Sequence, residues 1–346
     1  MKKGERMMTK LEKVSRRTDL APYQQEVLIQ ANNVKKYFPI KGGILKRTIG
    51  HLKAVDGVSL QIHKGETLGI VGESGSGKTT FGRVLLRLLK PTDGQIVFNG
   101  VDITNLSNSR LQPLRKDMQI IFQDPFASLN PRMSIEELIE EPLIIQKLLP
   151  KNERKQQVVE MLEKVGLRSS DRMKYPHEFS GGQRQRISIA RALILNPMFV
   201  ICDEPVSALD VSIQSQVLNL MKDLQDDLGL TFLFISHDLS VIKHISDRVA
   251  VMYLGRIVEI TTKRKIYETP LHPYTQALIS AIPVIDEDER TREKIILKGD
   301  LPNPADPPSG CPFRTRCPLV HDRCENERPE LTEIEPNHFV SCHLYT

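Results

Sequence analysis

Eight residues, Gly72-Glu73-Ser74-Gly75-Ser76-Gly77-Lys78-Thr79, follow the spacing G-x-x-x-x-G-K-T. Their types suit the holding of an anion. Glycines let successive backbone N–H groups turn inward around a charge that larger side chains would exclude. A lysine at the end of such a loop reaches the outer phosphates of a nucleoside triphosphate, and the hydroxyl after it can ligate Mg2+. Those residues are Lys78 and Thr79, and the expected phosphate contacts are Gly72, Ser74, Gly75, Ser76, Gly77, Lys78, Thr79 and Thr80. A pair of acids, Asp203-Glu204, closes the apolar run Met198–Cys202. Beside a phosphate loop, the first acid suits the Mg2+ hydration shell and the second suits a base for an attacking water. Alone, the pair would be a strand ending at a polar turn. A second anion cradle, Ser180-Gly181-Gly182-Gln183, opens the helical pattern Arg184–Leu195. Ordinary helix capping would explain it equally well. Four cysteines, Cys311, Cys317, Cys324 and Cys342, are spaced C-x5-C-x6-C-x17-C near the end of the chain.

The elements around these residues fit their tasks. Thr67–Val71 is a short apolar run with the character of a buried strand, and Thr80–Leu89 carries apolar residues at helical spacing. The loop therefore sits between strand and helix, the context that distinguishes it from a chance Gly/Ser turn. Strands are also expected at Val27–Val34, Ala54–Ile62, Gln95–Phe98, Met118–Phe122, Thr231–Ile235, Val249–Leu254 and Arg256–Ile260. Ile40–Leu52, with Gly42-Gly43 and several lysines, reads as a loop, and Ser212–Leu228 reads as a helix. Helical patterns fill about 124–191, with Pro125, Pro131, Pro142 and Pro176 as breaks. The expected architecture is an α/β phosphate-loop core (about 26–265) with a helical subdomain (about 124–191). Residues 1–25 read as a charged tail. A boundary near residue 265 separates the core from a small Cys-containing C-terminal extension, 266–346, which includes the charge run Asp286–Lys294 and the Pro-rich Leu301–Ser309.

At 346 residues, 40% hydrophobic and 26% charged, the chain has the composition of a globular protein with a sizeable core. No apolar stretch reaches the roughly 18 residues that span a bilayer. Met1–Leu20 is basic without an apolar centre, so it does not read as a signal peptide, and the expected compartment is the cytosol. A net charge of +5, with no Trp and no basic cluster interleaved with aromatics, gives no support for nucleic-acid binding. Cytosolic thiols seldom form stable disulfides, so four close cysteines suggest a metal. Their spacing lacks the C-x2-C pairs of common zinc ribbons and ferredoxins and leaves zinc and iron–sulfur both open, with His321 or His343 as substitute ligands. Cys202, inside an apolar run, reads as a core residue.

Taken in order, these motifs resemble the ATPase subunit of ATP-binding cassette (ABC) transporters. Ser180-Gly181-Gly182-Gln183 is similar to the family signature, with Phe179 where Leu is usual; Gln123 is similar to the Q-loop, Ser207-Ala208-Leu209-Asp210 to the D-loop, and His237 to the switch histidine. The resemblance spans about 27–260. It implies ATP and Mg2+ as cofactors and a head-to-tail pair of cassettes, each signature capping the ATP on the other's phosphate loop. It further implies that Lys78 contacts the β and γ phosphates, Thr79 and Gln123 ligate Mg2+, Asp203 supports the metal, Glu204 is the base and His237 touches the γ-phosphate. An aromatic should stack on adenine, Phe38 with Tyr37 as the alternative. Leu271-His272-Pro273-Tyr274-Thr275 and the Cys-rich tail resemble oligopeptide and dipeptide importer ATPases, a pattern nickel importers share. Related tails imply a [4Fe-4S] cluster on the four cysteines. The implied assembly is peripheral at the cytoplasmic face of the cell membrane. It holds a second, non-identical cassette, two transmembrane permease subunits that dock on the helical insert, and an extracytoplasmic binding protein that selects the substrate. A soluble cassette acting on nucleic acid would usually add coiled coils or basic modules, and an exporter often adds fused membrane helices; neither is evident.

Overall fold

The computed structural model describes residues 26–42, 46–282 and 294–346. The tail 1–25, and most of the charge run at 286–294, lie outside them. Among the described residues twelve strands form two sheets. The smaller is antiparallel, in the order β2-β1-β4-β5, from β1 (Val27–Gly42), β2 (Arg47–His63), β4 (Asp93–Phe98) and β5 (Val101–Asp102). The larger runs β11-β12-β10-β9-β3-β8-β7-β6. Its parallel part is β9 (Arg248–Tyr253), β3 (Thr67–Val71), β8 (Thr231–Ile235), β7 (Phe199–Asp203) and β6 (Met118–Ile121). Strands β3, β7 and β8 are buried along their whole length. This explains their unbroken apolar runs: a parallel strand covered on both faces has no polar side to show.

Two readings of the sequence need correction. Ile40–Leu52 is not a loop over most of its length. β1 continues to Gly42 and β2 begins at Arg47, pairing Pro39 with His51 and Gly42 with Arg47. These arms extend past the core, and Ile49 is 71% exposed. Cross-strand hydrogen bonds make them strands, while solvent gives them a loop's composition. Pro142 does not break a helix either; it lies inside the helix Ile135–Ile145. That helix starts on a capping box. Ser134 Oγ accepts from the Glu137 N–H, and Glu137 Oε2 accepts from the Ser134 N–H at 2.7 Å. The other α-helices described in the insert are Pro125–Ser128, Lys151–Lys164 and Gly181–Leu193.

The C-terminal segment continues the large sheet. β12 (His338–Val340) pairs with β10 (Arg256–Thr262), and β11 (Thr332–Glu335) pairs with β12. Phe313 is buried against Tyr253 and Tyr274, with ring centroids 5.3 and 5.4 Å away. No helix among the described residues is long and apolar enough to cross a membrane.

Candidate nucleotide site

The parallel strands bring the candidate residues to one edge. The phosphate loop follows β3, Gln123 follows β6, Asp203 and Glu204 end β7, and His237 follows β8. All lie at carboxyl ends, where ligands bind in open α/β sheets. The loop's geometry requires its glycines. Gly77 has φ +103°, and a Cβ there would lie 2.1 Å from the Ala54 carbonyl oxygen. A Cβ on Gly72 would meet the Met252 carbonyl oxygen, also at 2.1 Å. Helix Lys78–Leu85 begins directly after Gly77 and presents its free N–H groups to the loop.

Lys78 is 5% exposed. Its Nζ donates to the carbonyls of Gly72 (2.7 Å) and Glu73 (3.0 Å), so the ammonium sits within the loop's own ring. Burial lowers its pKa, opposed by the carboxylates of Glu204, Asp203 and Glu73. Thr79 Oγ1 donates to Asp203 Oδ1 at 2.6 Å. Burial raises the Asp203 pKa, against the Thr79 bond and the Arg83 guanidinium 3.9 Å away. A hydroxyl and a carboxylate held together in this way are oxygen donors suited to a hard divalent ion such as Mg2+.

Glu204 has φ +48°, and its N–H donates to the Ile235 carbonyl at 3.0 Å. This bond fixes the end of β7 to the end of β8. Glu204 Oε2 accepts from Gln123 Nε2 at 3.2 Å and lies 3.0 Å from His237 Nδ1. The carboxylate is therefore aimed by two side chains from two other strands. Nothing comparable reaches Ser180–Gln183. Ser180 Oγ accepts from the Gln183 N–H, and Gln183 Oε1 accepts from the Ser180 N–H at 3.0 Å, a capping box that starts Gly181–Leu193. A Cβ on Gly182 would lie 2.4 Å from Ile213 Cγ2. Ser180 itself is exposed. Among the described residues no hydrogen bond joins this cradle to the phosphate loop. Phe179 is buried in the core, where any large apolar side chain can serve. Asp210 caps the helix Val211–Leu228, accepting from the Ile213 N–H at 3.0 Å and from Ser212 Oγ at 2.7 Å. Those bonds hold its carboxyl below its usual value.

Residues 55–207 match the ABC transporter family, and residues 258–324 match the C-terminal region of oligopeptide/dipeptide transporters. The chain is 58% identical to the oligopeptide transport ATP-binding protein AppF of Bacillus subtilis (strain 168), over 93% of this chain and 98% of that one. This chain belongs to the ATP-binding subunits of the oligopeptide ABC transporter family. It is also 53% identical to the oligopeptide transport ATP-binding protein OppF of Salmonella typhimurium (strain LT2), over 92% of this chain and 96% of that one. Among solved structures it resembles the ATP-binding cassette MJ0796, a dimer in a post-hydrolysis state bound to ADP and Pi. The TM-score is 0.61 at 30% identity, covering 68% of this chain and 99% of the other. Like other members of this ABC ATPase family, the chain is an ATPase, with ATP and Mg2+ as the expected ligands of the loop and acids described above.

The aromatic pair differs in its contacts. The Tyr37 hydroxyl hydrogen-bonds Asp56, and burial together with that carboxylate pushes its pKa up to about 12. Neighbouring strand residues point to opposite faces, so Phe38 faces away from that network, with Lys36 Nζ 5.0 Å from its ring centre. Arg83 was not among the sequence candidates. Its position one turn after Thr79 on the same helix could have signalled it.

Cys202 is fully buried in β7, and burial raises its thiol pKa. Cys311, Cys317, Cys324 and Cys342 line one small pocket together with His343, and all four are free thiols. Burial, with the neighbouring cysteines, raises the pKa of Cys311 to about 11. His343 Nε2 lies 3.0 Å from the Glu327 carbonyl oxygen, while its buried Nδ1 has no partner. Among the described residues no group of three or more His, Cys, Asp or Glu side chains is arranged to hold a metal ion. His321 lies outside the pocket lining, with its ring 6.3 Å from that of His343.

Proposed function

We propose that this ATPase powers uptake of di- and oligopeptides, and that each ATP is enclosed only when a second cassette docks head to tail. One observation carries the pairing. The chain bears a phosphate loop with its acids and also an exposed anion cradle at Ser180, and among the described residues no hydrogen bond joins the two. A cradle with nothing of its own chain to hold fits a nucleotide on a partner. Bound ATP supplies the phosphoryl anhydride, and Mg2+ offsets its charge. Phe38 stacks on the base. Lys78 leaves its carbonyl partners for the β and γ phosphates. Thr79 and Gln123 would hold Mg2+ through their oxygens, and Asp203, bonded to Thr79, would support it. The Glu204 carboxylate, held by Gln123 and His237, would take a proton from the water whose oxygen bonds to the γ-phosphorus as the bond to the β–γ bridging oxygen breaks and ADP leaves, and His237 would reach toward the γ-phosphate. Asp210 turns the Ser207–Asp210 segment toward the partner.

The second cassette is a non-identical chain, and two permease subunits dock on the helical insert. In support, a groove lined by Phe122, Pro142, Ile145 and Arg191 opens beside Gln123, with Phe126, Ile144 and Ile145 more than half exposed nearby. Lipid-embedded permeases would hold the chain at the cytoplasmic face of the membrane, and an extracytoplasmic binding protein would choose the peptide. Co-purification of the tagged chain with hydrophobic permeases tests this. Recovery with nucleic acid and never with membranes would overturn it.

For the cysteines we favour a [4Fe-4S] cluster over zinc. A four-iron cluster takes one thiolate per iron, so its ligands stand around a body larger than one ion. Four thiols lining one shared pocket match that ligand count. Iron and sulfide in anaerobically purified protein would support the cluster; zinc, or no metal, would refute it.

A further inference from the structure

Glu73 is the first of the phosphate loop's variable positions, and nothing in the nucleotide chemistry above uses it. Yet all its polar groups are engaged, and two of them are bound by the C-terminal segment. Its backbone N–H donates to the Tyr274 hydroxyl at 2.9 Å. Its carboxylate accepts a two-pronged pair of bonds from Arg316, Nη1 to Oε2 at 2.6 Å and Nη2 to Oε1 at 2.9 Å. Its carbonyl accepts from Lys78 Nζ. The Arg316 side chain is 8% exposed and precedes Cys317 in the chain. Tyr274 belongs to the Leu271–Thr275 motif. That motif is fixed in turn by Glu259, fully buried, which accepts from the N–H groups of Leu271 (2.8 Å) and His272 (2.9 Å). Leu301 lies 3.9 Å from the place a Cβ on Gly75 would occupy. Three parts of the C-terminal segment thus converge on one loop.

We propose that Arg316 is a positioning residue for ATP binding: it holds Glu73 in place and cancels its charge, so that the loop can accept a triphosphate. A free carboxylate in the loop would repel the phosphates at close range, in a partly buried site where screening is weak. A planar guanidinium paired through both prongs removes that charge and also fixes the carboxylate's direction. The cysteine-bearing segment is therefore part of the ATP site through Arg316. This rests on the reading of Gly72–Thr79 as the ATP loop.

The test measures binding of fluorescent ATP, ADP and AMP analogues to the purified full chain. The variants are Arg316→Ala, Arg316→Lys, Glu73→Gln and the double Arg316→Ala/Glu73→Gln, each checked for folding by its unfolding midpoint. Arg316→Ala should weaken ATP roughly tenfold or more, ADP less and AMP least. The double variant should regain most of the loss, because no charge remains to repel. Glu73→Gln should bind ATP at least as tightly as wild type, and it tests the charge argument even if Arg316→Ala fails to fold. Arg316→Lys should lie between wild type and Ala. Wild-type affinity in Arg316→Ala would overturn the proposal. So would an equal loss for all three nucleotides that Glu73→Gln does not rescue, since that would make the pair a strut only. Failure of the wild-type chain itself to bind ATP would instead overturn the underlying reading of the loop.

Discussion

Glu204 occupies a left-handed backbone conformation that costs a non-glycine residue about 1–2 kcal/mol. The Ile235 carbonyl holds it there, and the result is a carboxylate within reach of both Gln123 and His237. Strain kept at such a point is consistent with a chemical task. Glu204→Gln should leave ATP binding intact and lower turnover by about 100-fold or more, as loss of a general base does. ATPase assays beside nucleotide binding check both halves, and unchanged turnover would remove Glu204 from the chemistry. Gly77→Ala should abolish ATP binding, because the new methyl would meet the Ala54 carbonyl and the φ is unsuitable. Isothermal titration with ATP reads this directly. At this scale the loop, the acids, Gln123 and His237 were legible from type and order. The choice between Phe38 and Tyr37 was not, since one residue of register has no signature in a half-exposed strand; what the structure adds is that the Tyr37 hydroxyl is engaged with Asp56. The Glu73–Arg316 pair was also hidden, because its members lie 243 positions apart.

Between elements, Asp56 is the main polar junction. It sits on β2 and receives the Tyr37 hydroxyl from β1, Arg256 from β10 (Nη2 at 2.8 Å) and Arg328 from the C-terminal segment (Nη1 at 3.3 Å). Burial opposes its ionisation, but the Tyr37 bond and the two guanidinium groups outweigh that and hold its pKa below the ordinary value. A carboxyl with a depressed folded pKa contributes stability above its unfolded value, about 3.9, and loses it as pH falls through the folded value. Asp56→Asn should therefore cost on the order of 2 kcal/mol at pH 7. The gap to wild type should shrink as the pH drops below about 4. Urea titrations at several pH values measure the gap, and one that stayed constant into acid would contradict this role. The elements themselves followed from unbroken apolar runs where burial was complete, as in β3, β7 and β8. They did not where it was partial: the β1 and β2 arms carry glycine and lysine because solvent surrounds them, and only their mutual pairing makes them strands.

For the whole molecule, the C-terminal segment is structurally tied to the cassette. β12 hydrogen-bonds to β10, and Phe313 fills a space between Tyr253 and Tyr274. The composition shift near residue 265 was visible in the sequence, but the added strand pair was not, since Thr332–Glu335 is short and charged. Phe313→Ala should destabilise the cassette by about 3–5 kcal/mol, the usual cost of emptying a packed aromatic site. Its unfolding midpoint, read by circular dichroism, should fall in step with ATP affinity; a stable variant would show that the segment only rests on the core. The same chain carries one nucleotide loop and one exposed cradle, and the central claim is that the cradle serves a second cassette. The most direct test is the structure of the Glu204→Gln complex, assembled with its partner and trapped with ATP and Mg2+. The account predicts Ser180 Oγ and the Gly182 N–H against the γ-phosphate of the nucleotide seated on the opposite cassette. Ser180 and Gly182 facing solvent, while ATP sits fully loaded on both phosphate loops, would contradict it.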